Sequence, residues 1–269
     1  MKKYTTLVLG LSVLLFGACK MGTKESDAKN AEAATPETEA ATGLTLSKLA
    51  NSPAYADAAL VLNAPADAAL PSGGEVNFDF SVTNYELGAQ TDSPNASDLA
   101  NSGKGQHIHF ILNNQPYSAH YEASFTKEVP DGVHHLVAFL SRSYHESVKN
   151  DNSVVVTKLE VGANAQDSIG LDMEAPTLIY SRPKGTYAGK DTENLLLDFF
   201  VLNTTLSENG NKVRATINGE EFIIAEWAPH VINGLPKGEV TVKLELIDGD
   251  GNLIPGPFNQ VERAVTLTE

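Results

Sequence analysis

The chain has 269 residues, of which 42% are hydrophobic, and its formal net charge at pH 7 is −15. This length suffices for one large domain or two ordinary ones. A chain this acidic lacks the basic surface that nucleic acid and anionic lipid headgroups require, so both are excluded as electrostatic partners.

The N-terminus predicts a bacterial lipoprotein signal. Lys2 and Lys3 precede an apolar run over residues 7–16 that is too short to span a bilayer comfortably. Small residues then lead to Cys19, the only cysteine, and this arrangement resembles a lipoprotein signal, although Phe16 stands where Leu is usual. By that resemblance residues 1–18 are cleaved and Cys19 is lipidated, which anchors the protein in the cell envelope, at the outer membrane. The alternative is an ordinary secretory signal with an incidental cysteine.

Residues 19–43 predict a disordered tether. They are rich in Ala, Glu, Thr and Lys and contain almost nothing large and apolar, so they cannot bury enough surface to become ordered. Such a segment holds a folded body away from the membrane.

From Leu44 onward the chain predicts an all-β fold made of two copies of one domain. Short runs rich in Val, Ile, Phe, Thr and Tyr alternate with Gly, Pro, Asn and Asp. Four segments of the first copy match four of the second, namely 76–87 with 195–206, 107–114 with 212–219, 129–136 with 235–242, and 153–161 with 261–268. Each copy has the length of an immunoglobulin-like β-sandwich, about 100 residues. We therefore predict two tandem immunoglobulin-like sandwiches, at residues 44–165 and 166–269.

Six of the seven histidines lie between Gly105 and His145, in the first copy. The second copy provides an internal control for which way they point, because alternate residues of a half-buried strand face the core. Its matching strand should bury Val213, Ala215 and Ile217. Transferred to the first copy, this phase places the following side chains on the outer face of the sheet: His107, His109, Ile111, His135, Val137 and Phe139. A face that mixes imidazoles with apolar groups needs a cover, which we expect to be a metal site, the loop 88–104, the second domain or a partner.

The histidine spacing predicts metal ligands. His107 and His109 are two residues apart on one strand, so their rings leave the same face and can share one ion. Hairpin geometry is expected to bring His120, His135 and His145 close to them. Several imidazoles with water are typical of a zinc or copper site. His134 is expected to be buried rather than ligating, and the alternative for the whole set is a packing or interface surface without metal.

These residues also resemble a histidine-rich family of small secreted bacterial β-domains of unassigned function. The shared pattern falls on the following residues: Gly105, His107, His109, His120, Pro130, Gly132, His134 or His135, and His145. The match covers residues 76–161. The layout of lipoprotein signal and tandem copies is similar to lipoproteins of Bacteroidetes-type bacteria. The resemblance implies a β-sandwich and an envelope location, and it implies no activity.

The sequence predicts a binding module rather than an enzyme. It contains no serine-nucleophile elbow, phosphate loop or zinc-protease helix, so we assign no catalytic residue. The leading hypothesis is a non-enzymatic cell-envelope lipoprotein whose first domain binds copper or zinc. The alternative is an accessory lipoprotein that binds a protein or glycan partner through the histidine face and holds no metal.

Overall fold

The computed structural model describes residues 43–269, which belong to one compact unit. The predicted signal, Cys19 and most of the predicted tether lie outside these residues, so those expectations stay predictions. Within residues 43–269 no helix has the length and apolar character needed to cross a membrane.

The regular secondary structure of the described residues is almost entirely β-strand. The strands are, in chain order, β1 Thr45–Lys48, β2 Ala59–Ala64, β3 Ala69–Leu70, β4 Gly74–Thr83, β5 His107–Leu112, β6 Ser118–His120, β7 Ser124–Val129, β8 Gly132–Ser141, β9 Val154–Val161, β10 Thr177–Arg182, β11 Thr186–Ala188, β12 Leu195–Leu202, β13 Lys212–Ile217, β14 Glu220–Ile224, β15 His230–Asn233, β16 Gly238–Ile247 and β17 Gln260–Thr268. One short helix, α1, spans Asn95–Asp98, and a 3₁₀ turn spans Gly189–Thr192.

The strands form two sandwiches of the same topology. In the first, the sheet β2-β4-β7 packs against the sheet β3-β9-β8-β5-β6. In the second, the sheet β1-β15-β12-β10 packs against the sheet β11-β17-β16-β13-β14. The matched segments lie on equivalent strands, since β4 corresponds to β12, β5 to β13, β8 to β16 and β9 to β17. The prediction of an all-β fold with two immunoglobulin-like sandwiches is confirmed.

Strand alternation fills the two cores as predicted. Val213, Ala215 and Ile217 are fully buried in the second core. Ile108 and Phe110 are buried in the first core, which places their neighbours His107 and His109 on the other face of the sheet.

The first strand belongs to the second sandwich, although the chain order predicts that residues from 44 onward begin the first. Thr45–Lys48 pairs antiparallel with His230–Asn233, and Leu46 packs on the second core. Without β1, the strand β15 would be an open edge of its sheet with unpaired backbone groups. This explains why residues 45–48 pair with the second sandwich and not with the first. The segment that connects the two sandwiches lies between β9, which ends at Val161, and β10, which begins at Thr177.

The outer face of the first sandwich is covered by the second sandwich. On the first side the contact is made by Ile111, Val137 and Phe139, and on the second side by Ile179, Phe200 and Phe258. The loop 88–104 also reaches across, because Leu99 packs with residues of both sandwiches. The sequence allowed a metal site, the loop 88–104, the second domain or a partner as the cover of this face. The second domain, with a contribution from the loop, is the cover in the structure.

Candidate metal centre

Three of the five predicted ligands converge, namely His107, His109 and His145. Their candidate ligand atoms all lie within 4.8 Å of one another. Nε2 of His107 lies 2.9 Å from Nε2 of His109 and 3.1 Å from Nδ1 of His145. A tetrahedral zinc ion with nitrogen ligands at about 2.0–2.1 Å requires nitrogens roughly 3.3 Å apart. These two nitrogen pairs would separate by a few tenths of an ångström to accept such an ion, and the nitrogens of His109 and His145, which lie within 4.8 Å of each other, would have to reach the same spacing.

The ring of His107 is oriented by the backbone just before it. Nδ1 donates a hydrogen bond of 2.8 Å to the carbonyl of Gly105. Because a carbonyl only accepts, the proton stays on Nδ1 and the lone pair of Nε2 points toward the other two histidines. A hydrogen bond of this kind on the far nitrogen is what metal-bound imidazoles usually have.

His109 is held from both sandwiches. Its ring stacks on Tyr117, with the ring centroids 3.5 Å apart and the planes 13° from parallel. Its Nδ1 lies 3.2 Å from Oγ of Ser181, which is on β10 of the second sandwich. When Nε2 acts as a ligand, Nδ1 carries the proton and donates to this hydroxyl.

His145 comes from a tight turn after β8, where its backbone has a φ of 70°. This left-handed conformation is uncommon outside glycine, and it is found mostly where the surroundings enforce it. Two buried contacts do so here. Arg142 pairs with Glu146 at 3.0 Å, and the backbone amide of Ser147 donates to Asp198 of the second sandwich at 3.1 Å.

Burial keeps the three imidazoles neutral, which is the form that binds metal. His107 and His109 have no exposed surface, and His145 is half-buried. Burial lowers the pKa of His107 to about 4 and holds the pKa of His109 well below its usual range. Burial also lowers the pKa of His145, with Arg182 as the next contribution.

The other two predicted ligands lie elsewhere. His120 pairs with Ile108 across the sheet, so its ring points into the first core, where it stacks on Phe125 at 3.4 Å. His135 is on the correct face but at the opposite end of β8, roughly 20 Å along the strand from the residue that pairs with His107. There its ring stacks on Phe258 with centroids 5.6 Å apart.

His134 is buried, as expected. Its Nε2 donates to the carbonyl of Pro130 at 2.8 Å, and its Nδ1 lies 2.9 Å from the side-chain amide of Asn113. Both ring nitrogens therefore have partners within the first sandwich.

The surrounding shell contains residues that the sequence did not single out. Tyr117 and Ser181 contact His109, and Asp198 fixes the turn that carries His145. Of these, only Asp198 gives a local signal, because it is a charged residue inside the apolar strand β12.

No protein-family model matches the chain, and a search of curated proteins finds no significant match. Among solved structures, fibronectin(III)-like modules of Clostridium thermocellum CbhA match at 14% identity and a TM-score of 0.27, over 78% of this chain and 94% of that one. The central fibronectin-III array of RIM-binding protein matches at 14% identity and a TM-score of 0.23, over 79% and 69%. The Bacteroides ovatus protein SGBP-B, solved with a mixed-linkage heptasaccharide, matches at 12% identity and a TM-score of 0.22, over 78% and 47%. Likenesses at such TM-scores carry no argument about fold or function.

Proposed function

We propose that this protein is a non-enzymatic, lipid-anchored binding module of the cell envelope that holds one copper or zinc ion at His107, His109 and His145. The observation that carries the proposal is the convergence of three neutral ring nitrogens within 4.8 Å. Imidazole nitrogen is a good ligand for both ions, and at the same site copper(II) binds more tightly than zinc.

The second sandwich supports two of the three ligands. His109 contacts Ser181, and the turn of His145 is tied to Asp198, so ligands from the first sandwich are held by the second. The histidine face is covered by the protein itself, so it is not the surface that a protein or glycan partner would use.

Metal titration of the purified protein tests the proposal. We expect one equivalent of copper(II) or zinc to bind at pH 7.5 with a Kd below about 100 μM, which is a binding free energy stronger than roughly 5.5 kcal/mol. His107→Ala and His109→Ala should each weaken metal binding at least tenfold, because each removes one of the three ligands.

His120→Ala and His135→Ala are the matched controls, because the structure places both rings away from the site. Both should bind metal with wild-type affinity. Loss of binding in these controls with retention in His107→Ala would place the site elsewhere. Absence of stoichiometric binding in the wild-type protein would end the metal proposal.

A further inference from the structure

Arg182 is a buried cation without a carboxylate partner. It lies at the end of β10 and is 7% exposed. Nη1 donates to the hydroxyl of Tyr187 at 2.9 Å, and Nε has no hydrogen-bond partner. Within residues 43–269, neither Arg182 nor nearby Lys184 forms an ion pair with a carboxylate. Buried charges are normally paired, so an unpaired guanidinium in a chain of net charge −15 needs an explanation.

Both cations contact Tyr117, which stacks on His109, and Lys184 lies on the face of the Tyr117 ring opposite His109. The ring of Tyr117 stacks on His109, Cζ of Arg182 is 5.3 Å from its centroid, and Nζ of Lys184 is 4.1 Å from it. Arg182 and Lys184 also lower the pKa of His109 and His145, in addition to the larger effect of burial. The two positive charges therefore act on the imidazoles electrostatically.

Against the effect of burial, the carboxylate opposite Arg182 in the strand pairing helps to raise the pKa of Arg182, but it forms no ion pair with the guanidinium. Asp198 is the residue opposite Arg182 in the register of β10 and β12. Its carboxylate instead pairs with Lys149 and accepts hydrogen bonds from Ser147. The metal cluster itself contains three histidines and no acidic residue.

A divalent ion at this place would add two positive charges beside two others in a buried environment. Repulsion between like charges is strongest where water is excluded, so the two cations weaken the binding of such an ion by the three neutral imidazoles. A small anion would offset part of this repulsion. Three nitrogen ligands leave one position of a tetrahedral ion open, and the unpartnered Nε–H of Arg182 is a donor suited to an anion.

We propose that the centre binds a divalent metal together with a small monovalent anion, of the halide or azide class, that Arg182 stabilises beside the three histidines, while Lys184 acts only through its charge from the far face of Tyr117. This inference rests on the proposed metal function and specifies its fourth ligand. His145 and Lys184 keep part of their surface exposed to solvent, whereas His107 and His109 keep none.

Metal affinity measured with and without a coordinating anion tests the inference. Copper(II) and zinc are titrated at constant ionic strength in perchlorate, which coordinates weakly, and then in chloride or azide. We expect the coordinating anion to strengthen metal binding by about tenfold or more in the wild-type protein. With copper(II), azide should also produce an azide-to-copper charge-transfer band.

Arg182→Gln provides the decisive variant. It should bind metal more tightly than the wild-type protein in perchlorate, because a repelling charge is gone, and the anion effect should fall below about twofold. A merely damaged site would instead lose affinity under both conditions. Lys184 is half-buried, so Lys184→Gln is the second variant if Arg182→Gln does not fold. It should change the metal affinity in perchlorate and the size of the anion effect in the same directions, by smaller factors. Arg214→Gln removes an arginine from β13, on the far sheet of the second sandwich, and should behave as the wild-type protein.

The outcomes separate the two proposals. Metal binding with an affinity that is independent of the anion, or an Arg182→Gln variant with an undiminished anion effect, overturns the inference and leaves the metal site in place. Absence of metal binding under every anion condition overturns the proposed function and the inference together.

Discussion

At the scale of single residues, Gly105 shows how closely the backbone is fitted around the site. Its φ is +86°, and a Cβ at this position would lie 2.2 Å from the carbonyl oxygen of Gly88 and 2.5 Å from that of Ala89. The carbonyl of Gly105 also fixes the tautomer of His107. The residue therefore serves both the packing of the loop 88–104 and the orientation of a ligand.

We predict that Gly105→Ala destabilises the protein and weakens metal binding. The left-handed conformation alone costs a side chain about 1 kcal/mol, and the backbone clash adds to that. Gly185→Ala is the control, since Gly185 has a φ of +78° with nothing within 4 Å of the added Cβ. Denaturant unfolding should show a larger loss for Gly105→Ala than for Gly185→Ala, and equal losses would contradict the clash.

His135 supports a prediction about pH, because it is buried, its Nδ1 has no hydrogen-bond partner, and burial lowers its pKa to about 4. The unfolded chain, with a histidine pKa of about 6.5, binds this proton first as the pH falls. The free energy of unfolding therefore decreases between about pH 6.5 and pH 4, by up to roughly 3 kcal/mol from this residue alone.

His135→Phe should reduce that pH dependence, because it keeps the stacking on Phe258 and removes the titrating group. The measurement is the free energy of unfolding at several pH values between 4 and 7, in the absence of metal. The variant and the wild-type protein should differ most at the acidic end. Parallel curves for the two proteins would show that His135 does not contribute.

At the scale of elements, the sequence could predict on which face of a sheet a side chain lies, because alternate residues of a strand face opposite sides. The phase of β13 transferred to β5, and this placed His107 and His109 correctly. The expectation from hairpin geometry failed for His120, since β6 has three residues and its pairing with Ile108 turns the ring inward. A strand that short gives no phase of its own.

Position along a strand matters as much as the face. In the antiparallel pair of β5 and β8, His107 lies opposite Ser141, so the turn that follows Ser141 returns to the start of β5. This brings His145 to His107 and leaves His135 at the other end. The contributions of Ser181 and Arg182 could not be predicted, because they arise from the docking of two separate surfaces, and no local pattern in the chain encodes that contact.

At the scale of the whole molecule, the site depends on the packing between the sandwiches. Phe200 is 1% exposed, and its ring centroid lies 4.7 Å from that of Phe139 across the interface. Its neighbour Phe199 is equally buried but points into the second core. The two residues thus separate interface packing from core packing on a single strand.

We predict that Phe199→Ala and Phe200→Ala each cost about 3–5 kcal/mol of stability, since both remove a buried aromatic ring. Only Phe200→Ala should also weaken metal binding, because it loosens the contact through which Ser181 orients His109. Urea unfolding and zinc titration on both variants provide the measurement.

A saturating metal stabilises the folded state by an amount set by its affinity, about 2.7 kcal/mol at a concentration of 100 times Kd. Zinc should therefore raise the stability of Phe199→Ala as much as that of the wild-type protein, and that of Phe200→Ala by less. An equal gain in the two variants would mean that the first sandwich assembles its histidines without help from the second.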